Sequence, residues 1–229
     1  MKNFKNKNVL ITGGAAGIGK IMGRLFLERG ANLIIWDINE DSMKATQSEL
    51  SKLGKVSIYV VNVADNDSIK NGYNQVIEND GVVDVLINNA GIIVGKFFHE
   101  HTEAEIKRTM DINANAPMYI THLFLADMLK QNSGYLCNIA SSAAFIANPK
   151  MSVYAASKWS VLGWSDSVRL EMKQLNKNIG VTTVTPYYIN TGMFDGVKSI
   201  IPILNPEKVA KKIVRSIEKG KPIASMPWS

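Results

Sequence analysis

Apolar residues follow two alternating rhythms along this 229-residue chain. Short, nearly unbroken apolar runs occupy 8–12, 32–36, 56–61, 83–87, 135–140, 181–185 and, more weakly, 222–225. Runs without polar alternation suit strands buried on both faces. Between them, helical spacing covers 17–29, 41–53, 67–79, 103–114, 118–131, 153–175 and 207–219. Thr102 and Glu105 have the spacing of a capping box at the start of the fourth helix. Strands and helices that alternate with short connections predict a doubly wound α/β fold of Rossmann type. Its parallel sheet has about seven strands, with helices on both faces. No repeat or low-complexity linker divides the chain, so one domain spanning 1–229 is expected. Ligands of such sheets bind outside the C-terminal strand ends.

Composition narrows the function. Hydrophobic residues make up 46% and charged residues 20%, which suits a globular protein with a sizeable core. A net charge of +6 invites a nucleic-acid reading, but the lysines are scattered and no basic run is interleaved with aromatics. No nucleic-acid partner is expected. The single cysteine, Cys137, excludes an internal disulfide and reads as a buried strand thiol. No apolar stretch reaches the ~18 residues of a membrane span. The first residues lack the apolar core of a secretory signal, and a soluble cytoplasmic protein is the expectation. His99, Glu100 and His101 have no further ligand nearby in sequence, so no metal site is expected.

The first strand runs into a turn from Thr12 to Gly19 containing Gly13, Gly14, Gly17, Ile18 and Gly19. Glycines there permit a tight turn and close approach of backbone to a pyrophosphate, which the next helix meets with free N–H groups. Asp37 ends the second strand. A carboxylate there accepts hydrogen bonds from adenosine ribose hydroxyls and repels a 2′-phosphate. No Arg or Lys stands at Ala15, Ala16, Ile38 or Asn39 to receive that phosphate. The expected cofactor is NAD(H).

Tyr154 and Lys158 are four residues apart on a predicted helix and therefore share one face. A nearby ammonium favours the phenolate and draws a phenol pKa down from about 10. Ser141, thirteen residues before the tyrosine, supplies a hydroxyl for a substrate oxygen. The three groups together make a proton donor and acceptor for a carbonyl/alcohol pair.

With these pieces in order, the chain resembles the short-chain dehydrogenase/reductase family over essentially its whole length. The motifs are the glycine turn, Asn88-Asn89-Ala90-Gly91, Asn113, Ser141, Tyr154/Lys158 and the stretch from Pro186 to Thr191. The resemblance implies Tyr154 as acid/base, with Lys158 lowering its pKa and holding the nicotinamide ribose. Ser141, rather than Ser142, would orient the substrate oxygen. Asn113, rather than Asn115, would hold a water that relays protons from Lys158. Asn89, Ala90 and Gly91 would line the adenosine side, and Asn62 and Val63 would meet adenine. Ile189 and Thr191 would contact the carboxamide. A homodimer or homotetramer through the helices at 118–131 and 153–175 is implied as well.

The sequence departs from the family pattern at Asn62, where Asp is usual, at Tyr187, where Gly is usual, and at Asn148-Pro149. Its text is closest to the retinol and hydroxysteroid dehydrogenase branch, notably at Leu33 to Asn39, at Gly95-Lys96 and from Tyr188 to Lys198. A segment at about 192–205, rich in Met, Phe, Ile and Leu, is expected to act as a lid over an apolar substrate. The reading is an NAD(H)-dependent oxidoreductase for an apolar alcohol or carbonyl compound of steroid, retinoid or lipid type. The alternatives are a 3-oxoacyl-thioester reductase and a non-catalytic nucleotide-binding sensor.

Overall fold

Strands β1 (Asn8–Thr12), β2 (Asn32–Asp37), β3 (Val56–Val60), β4 (Val85–Asn88), β5 (Gly134–Ile139), β6 (Ile179–Pro186) and β7 (Ile223–Met226) form a single seven-stranded parallel sheet in the computed structural model, which describes residues 3–190 and 203–227. The strand order is β3-β2-β1-β4-β5-β6-β7. Chain direction across the sheet reverses between β1 and β4, and the resulting crevice opens at their C-terminal ends.

The unbroken apolar runs of the inner strands are explained by burial on both faces. In β1, Val9 and Ile11 join one core with Leu33 and Ile35 of β2, while Leu10 joins a second core with Ile34 and Trp36. The first core takes in helices α1 (Gly17–Leu27), α2 (Glu40–Leu50) and α7 (Pro206–Glu218). The second takes in α3 (Asn66–Asn79), α5 (Ala116–Gln131) and α6 (Ser152–Gln174). Each large side chain so buried stabilises the fold by about 1.5–3 kcal/mol. Helices α1 and α7 are also joined by charge. Arg24 binds Glu207 through two hydrogen bonds of 2.9 and 2.8 Å, and Arg29 binds Glu218 at 2.7 Å.

The capping box is present. Thr102 Oγ1 accepts from the Glu105 N–H at 3.2 Å, and the Glu105 carboxylate accepts from the Thr102 N–H at 3.0 Å. It opens α4 (Glu103–Met110). The expected break between the fourth and fifth helices is absent. A π-turn at Asp111–Asn115 carries α4 directly into α5, with the Ala116 N–H donating to the Asp111 carbonyl. Pro117 lies just past this π-turn, and its missing N–H leaves the Asn113 carbonyl without a donor four residues on. Among the described residues, no helix is long and apolar enough to cross a membrane.

Candidate active site

The glycine turn is held from below. The side-chain amide of Asn89 donates to the carbonyls of Thr12 and Gly13 at 3.0 and 3.1 Å. Gly13 and Gly17 have φ of 64° and 54°, in the left-handed region that favours glycine. A Cβ on Gly19 would collide with the Gly13 carbonyl oxygen. No side chain caps the N-terminus of α1, and no acidic residue lies in its first turn. Its leading N–H groups are therefore available to an anion at the positive end of the helix dipole.

Two adjoining cavities cross the strand ends and share Gly13, Ala90 and Gly91. The larger, about 430 Å³, is lined by Asp37, Ile38, Asn62, Val63, Arg108 and Ile112. Asp37 is fixed there, because its Oδ2 accepts from the Ala15 N–H at 3.2 Å and its Oδ1 from the Asn39 N–H at 3.1 Å. The Asn62 Oδ1 accepts from the Ala64 N–H at 3.1 Å, which sets the turn after β3.

The second cavity, about 260 Å³, holds Gly17, Ile18, Ser141, Tyr154, Lys158 and Ile189 in its walls. Tyr154 and Lys158 are both buried on α6. The Lys158 ammonium donates to the Ile139 carbonyl at 2.9 Å and lies 5.7 Å from the centre of the Tyr154 ring. Ser141 hydrogen-bonds the phenol, and its Oγ also accepts from the Ala143 N–H at 3.1 Å. Ser142 lies in the next short 3-10 helix and is absent from the cavity wall.

Burial controls the protonation of this pair. It pushes the Tyr154 phenol up to about 12, with Tyr188 adding to the rise and the Ser141 hydrogen bond opposing it. Burial also lowers Lys158 to about 8. The expected lowering of the tyrosine pKa by the lysine does not prevail against burial. Burial disfavours the charged form of each group.

Two other expected site residues hold the backbone around the cleft. Asn89 lines the tyrosine cavity beside Ala90 and Gly91, and its amide anchors the glycine turn. Asn113 is buried. Its Oδ1 accepts from the Ile92 N–H at 2.8 Å, while its Nδ2 donates to the Ile92 carbonyl at 2.8 Å and to Ser157 Oγ at 3.1 Å. That amide is a clamp on the loop after Gly91. The Asn113 carbonyl, in contrast, receives no N–H from Pro117 four residues on. A Cβ on Gly91 would lie 3.3 Å from Asn113 Oδ1 and 3.6 Å from Lys158 Nζ, so glycine leaves space between the two groups. Thr191 and most of the expected lid lie outside the described residues. The backbones flanking that segment pair with each other, with the Leu204 N–H donating to the Tyr188 carbonyl at 2.8 Å.

Sequence reasoning missed Tyr188 and Arg108. Tyr188 packs with Ala143, Met151 and Tyr154 in the wall of the tyrosine cavity. Only its place after Pro186 hinted at this. Arg108 carries no local signal beyond its position on a helix.

The donor set fits a nicotinamide dinucleotide. A carboxylate faces one end of the cleft, uncapped helix N–H groups face its middle, and a buried ammonium and phenol face the other end.

Comparison with known proteins agrees with this arrangement. Residues 7–200 match the family model described as short chain dehydrogenase. The chain is 34% identical over 233 residues to human epidermal retinol dehydrogenase 2, covering 99% of this chain and 75% of that protein. It is 30% identical over 229 residues to mouse 17-beta-hydroxysteroid dehydrogenase 13, with the same coverage of 99% and 75%. Its fold is similar to that of a short-chain dehydrogenase/reductase from Burkholderia phymatum in complex with NAD. That match has a TM-score of 0.91 and 22% identity, and covers 98% of this chain and 90% of the other. A short-chain dehydrogenase from Sphingobium yanoikuyae in complex with NADPH is similar at a TM-score of 0.89 and 22% identity, covering 97% and 88%.

Proposed function

The chain belongs to the short-chain dehydrogenase family of oxidoreductases, and on that premise we propose that it exchanges hydride between NAD(H) and an apolar alcohol or its carbonyl, with Tyr154 as the proton carrier. The observation that carries this reading is the buried Tyr154 phenol, hydrogen-bonded to Ser141 and overlain by Lys158, at one end of a cleft whose other end presents Asp37.

When bound, the nicotinamide ring supplies or accepts the hydride. The protein's own groups bind and manage protons. Asp37 accepts from the adenosine ribose hydroxyls and opposes a 2′-phosphate, which favours NAD over NADP. The N-terminus of α1 receives the pyrophosphate. Ser141 donates to the substrate oxygen and keeps it beside the phenol.

In the reducing direction, the Tyr154 O–H gives its proton to the carbonyl oxygen as that oxygen gains negative charge. The Lys158 ammonium stabilises the phenolate left behind, and the phenol is then reprotonated from solvent. A phenol pushed up to about 12 is protonated near neutral pH, which is the form this step requires. Oxidation of the alcohol runs the same proton path backwards.

The apolar substrate class is supported by the hydrophobic and aromatic walls at Ile139, Tyr187, Tyr188 and Ile189, and by the relatives named for retinol and a hydroxysteroid. Self-association as a dimer or tetramer through α5 and α6 is supported by the exposed Tyr119 and Trp159 on those helices. Purified protein assayed at 340 nm with NADH or NADPH against apolar ketones and aldehydes should show NADH-dependent turnover. Binding of NADH without turnover of any compound in the panel would defeat the enzymatic reading.

A further inference from the structure

We infer that Arg108 is an adenine-binding residue, covering the base of the dinucleotide from the α4 side of the cleft and raising affinity for NADH and NADPH alike. This rests on the reading of the cleft as a dinucleotide site. Arg108 and Ile112 lie one turn apart on the continuous α4–α5 helix and line the same cavity as Asp37, Ile38 and Val63. The arginine is exposed at that wall. Among the described residues its guanidinium has no ion pair or hydrogen bond.

The carboxylates one turn away are engaged by lysines. Glu105 binds Lys96 at 2.6 Å, and Asp111 binds Lys107 at 2.5 Å. Nothing on its own helix therefore draws Arg108 away from the cavity. The walls beside it, Ile38, Val61, Val63 and Ile112, offer a planar base apolar contact but no charge. A guanidinium is flat and weakly hydrated and stacks on aromatic faces, so it supplies what those walls lack. A 2′-phosphate role is disfavoured because the fixed Asp37 carboxylate occupies the ribose end of the same cavity.

The test is Arg108→Ala and Arg108→Lys, with NADH and NADPH binding read by nicotinamide fluorescence and 5′-AMP binding by displacement. Arg108→Ala should weaken all three ligands about 3- to 10-fold, and Arg108→Lys should recover only part of that. An unchanged melting temperature without ligand would show that the folded cleft is intact. Wild-type affinity for NADH and 5′-AMP in Arg108→Ala would overturn the role, as would a loss confined to NADPH. Failure of the wild-type protein to bind either dinucleotide would instead bring down the reading of the cleft, and this role with it.

Discussion

Lys158 follows Tyr154 by one helical turn, and its ammonium lies 5.7 Å from the centre of the phenol ring while donating to the Ile139 carbonyl at 2.9 Å. The strand β5 thus holds the lysine by its backbone and orients the charge over the tyrosine. Replacing Tyr154 with Phe keeps the ring and removes the hydroxyl that carries the exchangeable proton and bonds Ser141. Turnover should fall by about 10²- to 10⁴-fold, and NADH affinity should stay within about 3-fold of wild type. Paired steady-state kinetics and fluorescence titration check this. Near-normal turnover would end the role of Tyr154.

Lys158 is a stability cost with a defined pH dependence. Its pKa falls from the ordinary 10.5 to about 8 on burial, so between those values the unfolded chain binds more protons than the folded one. This contribution to stability therefore rises with pH from about 8 to 10.5 and is at its most unfavourable below 8. Lys158→Met should stabilise the ligand-free protein by about 1–3 kcal/mol at pH 7, the loss of the Ile139 hydrogen bond offsetting part of the gain. It should abolish turnover. Urea unfolding at pH 7 and pH 9.5 should show the stability gap narrowing at the higher pH. An equal gap at both would contradict the burial argument.

Gly19→Ala tests the turn. The added methyl would strike the Gly13 carbonyl and come within 2.8 Å of the Asn89 Nδ2 that holds it. The turn must shift to accept it, at about 1–3 kcal/mol. NADH affinity should drop by about 10-fold or more, because the displaced backbone is the phosphate cradle. Calorimetric titration returning the wild-type affinity would show that the turn is not the binding element.

A different carboxylate stabilises the fold far from the chemistry. The Asp80 side chain, 2% exposed, accepts from Ser57 Oγ at 2.7 Å and Tyr59 OH at 2.6 Å, and it pairs with Lys55 Nζ at 2.6 Å. Burial raises its pKa, but the bonds from Lys55, Tyr59 and Ser57 together hold it below the usual carboxylate range. Its contribution is present near neutrality and is lost as pH falls through the lowered pKa. Asp80→Asn should cost about 1–3 kcal/mol at pH 7 and leave turnover unchanged. The difference from wild type should shrink in acid, as read by denaturant unfolding at pH 7 and pH 3.

The inner strands were legible because burial on both faces leaves no polar alternation. Tyr154 and Lys158 were legible because a four-residue spacing on a helix can point to only one face. The π-turn was not, since Asn115-Ala116-Pro117 reads locally as a helix boundary. Whether such a stretch ends a helix or continues it through a π-turn is not set by local spacing. The direction of the Tyr154 pKa was hidden for the same reason, because spacing shows the nearby charge but not how little water reaches it. Arg108 looks like any solvated arginine until tertiary structure brings α4 to the ends of β2 and β3.

Cofactor choice is decided at Asp37. The backbone N–H groups of Ala15 and Asn39 fix both of its oxygens, so the negative charge cannot swing away from a 2′-phosphate. Asp37→Ser removes that charge and keeps a small hydrogen-bonding group. NADPH affinity should rise and NADH affinity fall, changing their ratio by about 10-fold or more, as expected for one unit charge near a phosphate at the protein surface. Direct titration of both dinucleotides measures the ratio. If the variant still prefers NADH by the wild-type margin, the carboxylate is not the selecting group, and the preference must arise at another wall of the adenosine cavity.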